Sequence, residues 1–228
     1  MSRLEPFTNG IWTVFQPLRF FGMELGTRAT IVALPSGALA IISPVAFDEP
    51  TRAEIDALGE VAYVIAPNLF HHLFFRDACA HWPRARHLAP PGLEEKCDLP
   101  ASTLELTPDG WIEDSLRWHL IDGLPLTNEH VFVSTPHKAL IITDLAFNLH
   151  DHDQLWLRFM MSLLGAYNRF GPSRLERASI KDKAAFGRSL RALLEHDWDA
   201  IALPHGELIH EGGRARFEEA FKTYLDLA

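Results

Sequence analysis

The hydrophobic positions of the chain fall into short apolar runs closed by turn-forming residues, with longer periodic segments between them. Gly10 to Phe15 (GIWTVF) is rich in aromatic and β-branched residues and predicts an opening strand. Arg28 to Leu34 and Ala38 to Ser43 flank Pro35-Ser36-Gly37, which predicts a hairpin of two largely buried strands. Val61 to Ala66 is stopped by Pro67, which has no N–H to give to a sheet ladder. His87 to Ala89, Leu116 to Leu120, Glu129 to Ser134, Ala139 to Thr143 and Ala200 to Leu203 continue the series of strands. Pro50 to Leu58 reads as a helix, with Asp48 as its cap and Gly59 after its last apolar residue. Leu73 to Trp82 reads as another, ended by Pro83. In Lys183 to His196, Phe186, Leu190, Leu193 and Leu194 fall at i, i+4, i+7 and i+8, an amphipathic helix. Arg214 to Leu225 repeats that pattern through Phe217, Phe221, Tyr224 and Leu225. Leu155 to Tyr167 has Arg158 as its only charge, so it is expected to be buried or to cover a partner. Glu94 to Thr107 is weakly patterned and loop-rich.

Composition narrows this picture. With 228 residues, 47% apolar and 22% charged, the chain can bury a sizeable core, and neither repeats nor low-complexity linkers divide it. A single domain over 1–228 is the simpler expectation. A net charge of −9 argues against nucleic-acid binding, although Arg169, Arg174 and Arg177 lie close together. Cys79 and Cys97 lack metal-type spacing and read as free thiols in a reducing compartment. Ala29 to Phe47 is uncharged but broken at Pro35-Ser36-Gly37 and at Pro44, which suits two strands better than a membrane span. Met1 to Pro6 lacks the apolar core of a secretory signal, so a cytoplasmic protein without membrane association is expected.

Candidate chemistry sits at the strand ends. Three short apolar strands run into His71/His72, Asp144 and His205. If those strands are neighbours running the same way in one sheet, their ends converge where α/β proteins usually bind ligands. Imidazole nitrogen and carboxylate oxygen suit zinc, iron or manganese. A single histidine after a strand is more often a loop residue bonded to backbone than a ligand, and Asp144 or His205 alone fits a turn. The repeated placement carries the metal reading.

The runs ALAIISP, VIAPNLFHHLF, EHVFV with ALIITDLAFN, and LPHGE, in that order, resemble the metallo-β-lactamase fold, and more closely a domain family of unknown function with the look of a degenerate member of that clan. The resemblance spans most of residues 10–225. It implies an α/β (α+β) four-layer αββα sandwich, mixed sheets with helices on the outer faces. It also implies metal ligands among His71, His72, Asp144 and His205. In the family's first motif, His-x-His-x-Asp-His, one register sets His71-His72 on the Asp-His pair, with Pro67 and Leu69 in the places of the first two histidines. A one-residue shift sets Asn68 on the first histidine and His72 on the aspartate. Asp144 matches the family's metal-bridging aspartate and His205 its last histidine. The middle histidine, expected near Leu124 to Asn128, is missing, and Glu129 is the nearest polar candidate. The implied protein is a mononuclear metal-dependent hydrolase of a small ester, thioester, lactone or phosphodiester. The alternative is a non-catalytic small-molecule-binding or interaction protein. One divalent ion is expected (zinc first, iron or manganese next), or none. A homodimer contact through Leu155–Leu164 is a further expectation.

Overall fold

The structure, a computed structural model, describes residues 3–227. Strands β1 (Leu4–Thr8), β2 (Ile11–Gln16), β3 (Thr27–Ala33), β4 (Leu39–Ile42), β5 (Val61–Ile65), β6 (Arg86–Ala89) and β7 (Leu104–Glu105) lie in chain order across one sheet. Pairing is antiparallel from β1 to β4 and parallel from β4 to β7. The predicted hairpin is β3–β4, with Thr30 opposite Ile42 and Ala33 opposite Leu39. The parallel half requires three crossovers: α1 (Glu49–Leu58) joins β4 to β5, α2 (Phe75–His81) joins β5 to β6, and a segment with a 3-10 turn (Leu93–Glu95) joins β6 to β7. The Asp48 carboxylate accepts from Thr51 N at 3.0 Å and caps α1, as its sequence implies.

The second sheet has the order β14 (Ala200–Ala202), β11 (Ala139–Ile141), β10 (His130–Ser134), β9 (Leu116–Leu120) and β8 (Asp109–Ile112). Here β14 runs parallel to β11 and the other pairs are antiparallel. A separate two-stranded ribbon joins β12 (Phe147–Leu149) to β13 (Arg169–Gly171). The remaining helices are α3 (Leu155–Leu163), α4 (Arg174–Ser179), α5 (Lys183–Leu194) and α6 (Gly213–Leu225).

Alternation along the strands builds the layers. Ala40, Ile42 and Ile65 of the first sheet meet Phe132, Ile141 and Ala202 of the second in a core between the sheets. The intervening Ile41 and Val64 point the other way, onto Ile55 of α1 and Phe75 and Cys79 of α2. On the far side, Val131, Leu140 and Ile201 meet Phe186 and Leu190 of α5 and Phe217 and Phe221 of α6. The result is the expected αββα sandwich. A smaller cluster packs Leu157 and Met161 of α3 on Met23, Phe147, Leu149 and Ala166.

Two expectations need correction. The strands leading to the candidate ligands are not neighbours in one sheet: β5 belongs to the first sheet, and only β11 and β14 pair in the second. The apolar segment from Leu155 is not buried all round, because Leu155, Trp156, Phe159 and Leu163 of α3 are exposed while Leu157 and Met161 are buried. The loop-rich stretch from Glu94 also carries the end of a 3-10 turn (Leu93–Glu95) and the short β7. Among the described residues, no helix is long and apolar enough to cross a membrane.

The layering predicts where truncation hurts. Phe217 is fully buried and meets Trp198 edge-on at 5.4 Å, so Phe217→Ala is expected to lose about 3–5 kcal/mol in urea unfolding. Phe159→Ala, on the exposed face of α3, is expected to stay within about 0.5 kcal/mol of the parent when both are compared as monomers. Similar losses for both would contradict the assignment of the α3 faces.

Candidate metal centre

Pro67 ends β5, and the chain turns around Asn68, whose side chain organises everything that follows. The Asn68 carbonyl oxygen accepts from Phe70 N at 2.9 Å and His71 N at 2.7 Å, which winds the loop and presents the His71 ring. The Asn68 amide donates to Asp144 Oδ2 at 2.7 Å and Thr143 Oγ1 at 2.9 Å, past the end of β11. Backbone bonds from Leu69 N to Thr127 O and from His130 N to Pro67 O tie this loop to the second sheet. His205 follows β14. The Arg28 guanidinium on β3 donates to Leu203 O at 2.6 Å and Gly206 O at 3.0 Å and pins that turn. Gly206 has φ 106°, and a Cβ there would stand 2.1 Å from Asn148 O, so the turn requires glycine.

Loops from both sheets therefore bring three ligand-type side chains together. His71 Nε2 and His205 Nε2 are 3.2 Å apart, and each is 3.4 Å from Asp144 Oδ1. His71, Asp144 and His205 form a metal-capable group with all donor atoms within 4.8 Å of one another. The two equal nitrogen–oxygen distances exceed the about 2.7–2.9 Å of a charge-assisted hydrogen bond. Ligands held about 2.0–2.1 Å from one ion at tetrahedral angles stand about 3.3–3.4 Å apart. The triangle thus fits three ligands of a common ion better than three paired hydrogen bonds.

The outer nitrogens are also engaged. His205 Nδ1 donates to Gly26 O at 3.0 Å, which leaves the Nε2 lone pair facing the cluster. His71 Nδ1 meets Ser43 Oγ at 2.8 Å. Ser43 closes β4 with φ 56°, an uncommon conformation for a side-chain-bearing residue, held by its N–H bond to Ile65 O at 3.0 Å. Phe147 stacks on the His205 ring at 5.4 Å and 15°.

Glu129, the nearest polar candidate for the missing middle histidine, is fully buried. Its carboxylate accepts from Thr143 N at 2.7 Å and Asp144 N at 2.9 Å. Burial, and then the charge of Asp144, push the Glu129 carboxyl up to about 7 against those donors. Burial also disfavours ionised Asp144, but the facing imidazoles of His71 and His205 outweigh it and hold this carboxyl well below the usual range. Burial lowers the His71 pKa, and the Asp144 charge more than offsets it, so the net shift is upward. For His205, burial dominates and the shift is downward.

His72 does not join the group. Its ring is half-buried, and its Nδ1 has no hydrogen-bond partner among the described residues. Asn68, Ser43 and Glu129 complete the arrangement; the sequence offered Asn68 and Glu129 at the family's ligand positions and did not single out Ser43. For Ser43 the available signal was a hydroxyl ending an apolar strand just before Pro44.

The fold matches solved structures over nearly its whole length. The chain is similar to the FIM-1 metallo-beta-lactamase from Pseudomonas aeruginosa in its mono-zinc form, with 12% identity, TM-score 0.64, and 99% of this chain and 95% of that one covered. It is similar to a metallo-beta-lactamase from Pontibacter korlensis, with 11% identity, TM-score 0.63, and coverage of 100% and 98%. It is also similar to the metal-soaked Flv1 flavodiiron core from Synechocystis, with 12% identity, TM-score 0.65, and coverage of 99% and 61%. No protein-family model and no curated protein matches the chain. The fold is that of the metallo-β-lactamases, and the chain carries within it a His-Asp-His group capable of holding a metal.

His130, beside Glu129, sets a pH dependence of stability. Its ring is 1% exposed and neither nitrogen has a well-formed hydrogen bond. Burial lowers its pKa to about 4 from 6.5, with the carbonyls of Thr107, Asn128 and Pro67 offsetting only part. The unfolded chain protonates this imidazole below about 6.5, whereas the folded chain resists until about 4. The stabilising contribution of neutral His130 is therefore complete above about pH 6.5 and is lost as pH falls towards 4. From pH 7.5 to 5 the loss is expected to be about 2 kcal/mol in urea unfolding, and His130→Phe is expected to remove that part of the slope. An unchanged slope would contradict the assignment.

Proposed function

We propose that the chain is a mononuclear metal-dependent hydrolase of a small ester, thioester, lactone or phosphodiester. Its ligands are His71, Asp144 and His205, with zinc the favoured ion and iron or manganese the alternatives. The observation that carries this is the triangle of Nε2, Nε2 and Oδ1 at 3.2, 3.4 and 3.4 Å. Two histidines and one carboxylate leave a position open for water or substrate, as catalytic sites require. An ion held there supplies Lewis acidity and lowers the pKa of a coordinated water towards neutrality. The chain's own residues do the rest. Asn68 fixes the Asp144 carboxylate, Ser43 and Gly26 O orient the two imidazoles, and Phe147 keeps water from one face of His205. The Asn68 amide and the Glu129 carboxylate take up the surroundings of Asp144 where the fold's other ligands are expected, which favours one ion over two.

A second reading, a non-catalytic small-molecule binder on the same scaffold, is favoured by how closed the centre is. The His71, His205 and Asp144 side chains are only 7%, 6% and 13% exposed. Protein prepared without chelator is expected to hold about one equivalent of zinc, iron or manganese by elemental analysis. His71→Ala, Asp144→Ala and His205→Ala are expected to lose it, whereas His72→Ala keeps it. Ser43→Ala, which removes a partner from behind a ligand, is expected to weaken binding about 10- to 100-fold. Metal-free wild-type protein would overturn the metal centre. Bound metal with no chelator-sensitive turnover across the four substrate classes would leave the binder.

The exposed Leu155, Trp156, Phe159 and Leu163 of α3, with Phe21 beside them, also fit self-association, since contiguous apolar surface usually marks an interface. Sedimentation is expected to give a dimer that Phe159→Glu dissociates, and a monomer at all concentrations would exclude it.

A further inference from the structure

Away from the metal centre, on the outer side of the second sheet, a second pair of imidazoles meets nitrogen to nitrogen. His119 on β9 and His196, just after α5, bring their Nε2 atoms to 2.9 Å, with ring centroids 5.0 Å apart and planes 32° from parallel. Behind His119, the cross-strand neighbour Asp109 on β8 holds Nδ1 through Oδ1 at 2.7 Å. The His119 side chain is 17% exposed, and Asp109 is open to solvent. We propose that His119 and His196 form a surface site for a late divalent transition ion, copper(II) or nickel(II) before zinc, with water completing the coordination.

The chemistry follows from the order Asp109, His119, His196. Asp109 accepts the Nδ1 proton of His119, so His119 Nε2 carries its lone pair outward, towards His196. A carboxylate behind a ligating imidazole is the arrangement that fixes the tautomer and raises the basicity of a metal-bound histidine. In the ion-free protein the 2.9 Å contact requires a proton between the rings, donated by His196 Nε2. A bound ion takes that proton's place. His196 then carries its proton on Nδ1, so the exchange is a tautomer shift with no net proton uptake.

The separation selects the ion. Two nitrogens 2.9 Å apart, each about 2.0–2.1 Å from an ion, subtend about 90°. That is the angle between neighbouring ligands in a square plane or an octahedron, the geometries of copper(II) and nickel(II) rather than of tetrahedral zinc. The buried triangle, with its wider separations, has the opposite preference. Arg117 and Glu195 flank His196 with opposite charges, so neither sign of ion is excluded there by local field alone. Because β9 and the end of α5 each supply one ligand, occupancy cross-links the sheet to the helix layer and stabilises their contact.

Copper(II), supplied as its glycine complex, is titrated into wild-type protein and into His119→Gln, His196→Gln, Asp109→Asn and His205→Gln variants. Stoichiometry, electron paramagnetic resonance and melting temperature are followed. His119→Gln and His196→Gln are each expected to bind one equivalent fewer than wild type and to lose the copper-induced rise in melting temperature. Asp109→Asn is expected to keep that equivalent with about 10- to 100-fold weaker affinity. His205→Gln is expected to retain it, with the resonance of two imidazole nitrogens, whatever the fate of the buried centre. Unchanged stoichiometry in both His119→Gln and His196→Gln would overturn the site, as would a copper signal without imidazole nitrogen in His205→Gln. Neither result bears on the His71, Asp144 and His205 group.

Discussion

The arrangement of the molecule around its strand ends depends on one buried carboxylate. Asp144 is ionised where water scarcely reaches it, and an uncompensated charge in such a place is destabilising by several kcal/mol. Each surrounding element supplies part of the compensation. The β5 loop brings Asn68 to Oδ2 and His71 to Oδ1, and the turn after β14 brings His205 to the same Oδ1. The backbone N–H of Asp144 is meanwhile taken by Glu129 from the start of β10. Segments from both sheets meet at one point because that charge has to be surrounded.

The way Asp144 divides its two oxygens bears on how many ions the group could hold. One oxygen faces the imidazole pair at distances suited to a shared ion, while the other is occupied by a neutral amide. Asn68 thereby provides a fixed donor without a charge, and its own oxygen is spent on turning the loop. A second cation beside Oδ2 would have to displace that amide and unwind the loop that presents His71. On this side the network is closed by the Asn68 amide, and the donor atoms left facing one another are those at the imidazole pair.

Much of the sandwich could be read from the chain because its buried strands are short, apolar and closed by proline or glycine, as at Val61 to Pro67. The Asp48 cap and the Phe186, Leu190 and Leu193 stripe were equally plain, since local chemistry dictates both. Several of the elements that escaped carry little burial signal in their sequence. The edge strand β8 has its Asp109 and Trp111 exposed, and β13 has an exposed Arg169. Helix α4 carried a legible capping box at Ser173 and Glu176 but is only six residues long. At the site, His71, Asp144 and His205 were foreseen as strand-end residues, yet the pattern could not separate His71 from His72. That choice depends on the direction in which Asn68 winds the loop, a tertiary matter. Ser43 was missed because its role lies in a contact 28 positions along the chain, with its backbone held in an unusual conformation.

The most direct test of a one-ion centre is anomalous diffraction from crystals of the zinc-loaded protein. A single peak is expected within ligand distance of His71 Nε2, Asp144 Oδ1 and His205 Nε2, with the Asn68 amide still bonded to Asp144 Oδ2. A second peak of comparable height on the Oδ2 side, with Asn68 displaced, would contradict the account, and so would no peak between the two imidazoles.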